Sequence, residues 1–213
     1  MATGLRERKK QQTRELIAET ARRLFTERGF ERVSVAEIAR EADVSEKTVF
    51  NYFATKEDLV YWRLESFEDE LLSTVRDRAA GESVVDAFGR FVRQPRGMLG
   101  QYDRAARERL AALTRMIVDS PSLLAREHQI FEGYTASLAE LIADETEAEP
   151  DAVEPWVAAN ALMGVHRRLI DFTRGRIIAG ARHPDLATEV LAEADRALAL
   201  LAGGLAGYAI KEP

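Results

Sequence analysis

Apolar positions recur at three- and four-residue steps along most of this chain, a period that predicts helices rather than strands. The first helix runs from about Arg8 to Arg28, with Ile17, Ala21, Leu24 and Phe25 on one face. Gly29 ends it, because glycine enters the left-handed conformation without a Cβ clash, and Phe30 then folds back onto Phe25. Ser34-Val-Ala-Glu37 is a capping box that opens a short helix ending near Ala42. Ser45 caps a third helix, Glu46 to Phe53, and Thr55-Lys-Glu-Asp58 resembles a further capping box. That box opens a long helix through about Arg78, which Gly81 breaks. Later starts are expected at Ser83, at Ser120 before Pro121, at Asp151 after Pro150, and at His183 before Pro184. Pro95–Asp103 and Glu145–Pro150 read as loops. The expectation is an all-α protein of about nine helices.

Residues 34–53 pair two short helices across Asp43-Val44-Ser45, with small Ala39 where they cross and Ile38, Val44, Val49 and Phe53 turned inward. This is a helix-turn-helix pattern, whose second helix enters the DNA major groove. Asp43 stands where glycine is more usual in such a turn, and aspartate tolerates the left-handed region better than most residues. With Val49 and Phe53 inward, Lys47, Thr48, Asn51 and Tyr52 point outward. Asparagine matches adenine edges, lysine matches guanine, and threonine suits a phosphate or a thymine methyl. Lys56 falls at the start of the next helix, where free amides favour a phosphate.

The overall charge of −6 argues against a nucleic-acid partner, but its distribution reverses that. Residues 1–14 carry Arg6, Arg8, Lys9, Lys10 and Arg14 against Glu7 alone. Residues 1–60 hold 12 basic and 11 acidic side chains, while the remaining 153 hold 18 and 25. A basic N-terminal arm on an acidic body fits a DNA-binding head with a separate partner domain.

Thr13 to Trp62 resembles the DNA-binding domain of the tetracycline-repressor family. The resemblance rests on Leu24-Phe25, Gly29-Phe30, Ser34-Val35, Ile38-Ala39, Val44-Ser45, Thr48 through Phe53, and Lys56 with Leu59. It implies an N-terminal three-helix head over residues 1–55 and a helical effector-binding and dimerisation domain over 56–213, joined by the helix 56–78. It also implies a homodimer on a palindromic double-stranded operator, acting as a cytoplasmic repressor released by a small effector. By position, Ser34, Thr48, Tyr52 and Lys56 are expected on phosphates, and Ser45, at the cap of the helix Glu46 to Phe53, is expected at the DNA with them. Glu46, Lys47 and Asn51 are expected on bases. Phe50 replaces a common tyrosine and so lacks that hydroxyl.

Beyond residue 65 the sequence narrows less. Phe67, Phe88, Phe91, Met116, Phe131, Tyr134 and Met163 are candidates to line an effector cavity. Arg167, within His166-Arg167-Arg168 on an otherwise apolar helix, would meet an anionic effector, pair with Asp171 or lie on an exposed face. The last two long helices are the candidates for dimerisation, through Trp156 on the first and Val190, Ala194, Leu198, Leu201 and Leu205 on the second. The effector itself is not specified. No cysteine is present, no apolar run is long enough for a membrane span, and no signal peptide is evident. His128 and Glu132 share a helix face without a third metal ligand, and no phosphate loop or nucleophile motif occurs. A regulator without cofactor or metal is therefore expected, rather than an enzyme.

Overall fold

The computed structural model describes residues 2–62, 64–94, 104–180 and 185–204. Among them are ten helices and no strand: α1 Ala2–Arg28, α2 Val35–Glu41, α3 Glu46–Tyr52, α4 Asp58–Tyr61, α5 Leu64–Arg76, α6 Val84–Arg93, α7 Arg104–Val118, α8 Pro121–Thr146, α9 Glu154–Ile178 and α10 Asp185–Gly203. The all-α expectation holds. Of the helix expected over 56–78 the described residues give α4 and α5, with Trp62 after α4 at right-handed helical angles of φ −55° and ψ −22° and Arg63 outside the described residues. The expected loop at Pro95–Asp103, and the start at His183, lie outside the described residues.

The chain divides into two compact units. Unit 1 is residues 1–65 together with Arg115–His128, so it reaches past residue 55 and includes the end of α7 and the start of α8. Its core is Ile17, Ala21, Leu24, Ile38, Val49 and Leu59, all at 1% exposure or less. Here α1 packs on α2 and α4, and α2 packs on α3. The local signals explain the boundaries. Gly29 takes φ +83°, and the Phe25 and Phe30 rings stand 5.0 Å apart. Asp43 takes φ +53°, the left-handed conformation that its turn requires. α1 starts at Ala2 rather than Arg8, because arginine, lysine, glutamine and glutamate are good helix formers even where nothing apolar is buried.

Unit 1 is closed by a tip that arrives from far along the chain. The Tyr61 hydroxyl donates to the Leu123 carbonyl at 3.0 Å, and Ser120 Oγ donates to Glu31 at 2.7 Å. Ser120 therefore serves a distant carboxylate, while its carbonyl accepts from Leu124 in the first turn of α8.

Unit 2 is residues 66–114 and 129–213. In it α10 packs on both α9 and α6. Gly89 lets α6 come close: a Cβ there would lie 3.3 Å from Leu198 Cδ1 and 2.6 Å from Arg93 Nη1. Arg93 Nε donates to Asp195 at 2.7 Å, and Arg176 grips Glu189 with two bonds of 2.5 and 2.6 Å. α9 begins at Glu154, three residues later than Asp151, with Pro155 in its first turn where no backbone donor is lost.

Candidate nucleic-acid interface

The second short helix is held from below and presented above. Val49 is 1% exposed and Phe53 is 2% exposed, so this edge of α3 is fixed in the core. Glu46, Lys47, Phe50 and Asn51 are exposed, with Thr48 and Tyr52 half-buried beside them. The face expected on DNA is thus assembled from adjacent turns of one helix. Phe50, at 50% exposure, sits in that face, although the sequence marked it only for its missing hydroxyl. A ring between Lys47 and Asn51 suits a thymine methyl.

Both serines expected near phosphates are also caps. Ser34 Oγ accepts from Glu37 N–H at 3.2 Å and donates to Glu37 Oε2 at 2.9 Å, while the Ser34 amide donates to that same oxygen at 2.9 Å. These bonds, the amide first, hold the Glu37 carboxyl below its ordinary range, and Arg28 and Arg40 add to them against a desolvation cost. Ser45 Oγ accepts from Thr48 N–H at 3.1 Å and lies 2.8 Å from Thr48 Oγ1. Caps of this kind are worth about 1 kcal/mol each.

Lys56 is positioned differently from the sequence expectation. α4 is only four residues long, too short for a helix-terminus argument. Instead, the Lys56 ammonium stands 4.2 Å from the Phe30 ring centroid and 5.9 Å from that of Phe25. Burial pushes its pKa down, while Glu31, Glu57 and Glu37 oppose that. The turn carrying Lys56 is fixed by a reciprocal pair: Thr55 N–H to Asp58 Oδ2 at 2.9 Å, and Asp58 N–H to Thr55 Oγ1 at 3.3 Å. Asp58 Oδ1 also accepts from Arg126 Nε at 2.7 Å, a bond between residues 68 apart that no local pattern announces. Arg14, which the sequence marks only as part of the basic N-terminal arm, lies 5.5 Å from the Phe53 ring centroid.

Unit 2 gathers most of the aromatic candidates. Phe67 stands 4.9 Å from Phe91 and 5.8 Å from Tyr134, and Phe131 stands 5.9 Å from Tyr134. Phe88 joins through Phe91 at 6.3 Å. His166, not among the candidates, bridges the group, 4.6 Å from Phe67 and 5.5 Å from Phe131. Its place on the apolar stripe of α9 was the available signal. Met163 is fully buried. Met116 is half-buried in unit 1, apart from the unit that holds the others. Arg167 pairs with Glu132 at 2.8 Å and donates to Asn160 at 3.2 Å; its partner is not Asp171. No group of three or more metal-ligating side chains occurs among the described residues.

Two of the dimer candidates are corrected by burial. Ala194 is 1% exposed and Leu198 is 4% exposed; Leu198 faces α6 and is spent on the core of its own chain. Val190 and Leu201 are half-buried, and Leu205 lies outside the described residues. Trp156 is 57% exposed, its neighbours in sequence Val153 and Val157 are exposed too, and so is Leu191 on α10. No described helix is long and apolar enough to cross a membrane.

Residues 17–61 match the family model of bacterial regulatory proteins of the tetR family. The HTH-type transcriptional regulator TcmR of Streptomyces glaucescens is 30% identical over 142 residues, which are 66% of this chain and 63% of TcmR, so the match spans less than two thirds of that relative. MftR of Mycobacterium tuberculosis, a transcriptional regulator, is 26% identical over 166 residues, covering 74% of this chain and 78% of MftR. The solved structure of SmeT with triclosan shares the fold, at a TM-score of 0.55 and 19% identity over 94% of this chain and 98% of that one. The relatives are regulators rather than enzymes. Residues 17–61, which carry the helix-turn-helix of 34–53, are thus a head of the kind found in bacterial regulatory proteins of the tetR family.

Proposed function

We propose that the chain is a cytoplasmic, homodimeric repressor that binds a palindromic operator in sequence-specific fashion and releases it when a small molecule binds its C-terminal domain. The observation carrying this reading is the exposed face of α3, with Lys47, Phe50 and Asn51 presented on a helix anchored by Val49 and Phe53. Lys47, Phe50 and Asn51 read base edges, with Glu46 beside them. Ser34, Thr48, Tyr52 and Lys56 meet the backbone. The exposed Trp156, Val157 and Leu191 supply the surface on which two copies meet. The effector is an apolar molecule with aromatic character. It enters among Phe67, Phe91, Phe131, Tyr134 and His166, whose ring edges and faces suit a planar guest. The triclosan bound by SmeT, an apolar aromatic compound, agrees with that chemistry. Because Glu132 already occupies Arg167, an anionic group would have to displace a carboxylate, which favours neutral effectors.

The test is operator affinity, using the region upstream of its own gene, titrated at several salt concentrations. Binding that weakens steeply with salt and exceeds binding to scrambled DNA supports the reading. Equal affinity for both duplexes, or none for either, overturns it.

A further inference from the structure

α1 carries one continuous stripe whose chemistry changes where the head ends. Ile17, Ala21, Leu24 and Phe25 are buried along it, at 2% exposure or less. Followed toward the N-terminus at helical steps, the same stripe continues through Arg14, Lys10 and Arg6. Lys9 flanks it, and Glu7, paired to Lys10 at 3.7 Å, is the lone carboxylate of residues 1–14. Residues 6–10 have exposed side chains, so this part of α1 is a helix without an apolar partner. The changeover lies at Arg14, whose guanidinium stands 5.5 Å from the ring of Phe53, the residue that ends α3. The side of α1 that grips the head therefore turns cationic at the end of the helix proposed to read DNA.

We propose that residues 6–10 form a rigid cationic extension of the DNA-binding surface, in which Arg6 and Lys10 take phosphates beyond those met by α3 and Lys56. This rests on the DNA-binding reading and adds a second, sequence-independent contact surface to it. A helix rising 1.5 Å per residue places Arg6 about 6 Å from Lys10 along the axis, close to two phosphate steps of about 3.4 Å along one strand. Being helical before DNA arrives, the extension gives up less backbone freedom on binding than a disordered arm. Arg8 lies off the stripe and serves as an internal control.

The experiment compares the full chain with the double variant Arg6→Ala/Lys10→Ala and with Arg8→Ala, on one operator duplex. Readouts are the slope of log affinity against log salt and phosphate-ethylation interference. For the double variant, the slope should fall by about two per head, interference should disappear at about two phosphates per half-site, and base preference should not move. Arg8→Ala should match the parent. Helical content and Tm should be unchanged, since these side chains bury nothing. A double variant with the parent's slope and interference pattern overturns the inference, as does an equal loss in Arg8→Ala. Anionic phosphatidylglycerol vesicles are a parallel arm: vesicle binding that the double variant loses, with DNA binding intact, assigns the stripe to a lipid surface and overturns it too. A parent chain without salt-sensitive DNA binding would defeat the DNA-binding reading itself, a result distinct from all of these.

Discussion

Arg126 Nε donates to Asp58 Oδ1 at 2.7 Å while Asp58 Oδ2 accepts from the Thr55 amide, so one carboxylate joins the turn that carries Lys56 to the first turns of α8. The pair is mostly sheltered, with side-chain exposures of 32% and 17%. Arg126→Ala should cost about 1–2 kcal/mol, and Asp58→Ala more, because it also removes the cap. Denaturant unfolding of both singles and the double checks this. A coupling on the order of 1 kcal/mol is expected, and simple additivity would mean the pair contributes nothing.

The Glu37 carboxyl supplies a pH signature. Its pKa is depressed in the folded chain, so its contribution to stability is present above the unfolded value, about 4.3, and is lost as pH falls through the lower folded value. Glu37→Gln keeps an acceptor for Ser34 but cannot ionise. The gap in Tm between parent and Glu37→Gln should be constant above about pH 5 and should close below about pH 4. A gap independent of pH would show that ionisation of Glu37 does not contribute.

Lys56 and the α3 face should fail in different ways. Lys56→Ala should weaken binding to every duplex and lower the salt slope by about one per head. It should also cost about 0.5–1 kcal/mol of stability, because the ammonium leaves the Phe30 ring. Lys47→Ala or Asn51→Ala should cost about 1–3 kcal/mol of binding and relax preference at one operator position, without touching stability. Competition against single-base operator variants separates the two patterns.

Substitutions on α9 and α10 should separate assembly from folding. Trp156→Glu should give a helical monomer by light scattering, because the indole is exposed in the single chain. Leu198→Glu should unfold unit 2, since it buries a charge against α6 at a cost of several kcal/mol. A folded monomer from Leu198→Glu would reverse these assignments.

What was legible in the sequence follows the range of each interaction. Ser34 with Glu37, Thr55 with Asp58, and Gly29 at the end of α1 act within a few residues, and each appears where the pattern put it. Leu198 misled, because an apolar stripe says that something covers it, not whether the cover is α6 or a second chain. Lys56 had its place in the sequence but not its neighbours, since the two rings reach it only through the fold of α1 and its turn. The bonds of Arg126 to Asp58 and of Ser120 to Glu31 gave no signal, because the partners lie 68 and 89 residues away.

Those separations set an order of events during synthesis. Tyr61 waits for the carbonyl of Leu123, 62 residues later, and Asp58 waits for Arg126. At roughly 5–20 residues per second, α1 to α4 leave the ribosome about 3–13 s before the segment that completes them. Through that interval the nascent head lacks Ser120, Arg126 and the Leu123 carbonyl, the distant partners of Glu31, Asp58 and Tyr61. A ribosome stalled between α4 and α8 therefore releases a fragment that carries every DNA-facing residue of α3 but not the tip that closes the fold around them.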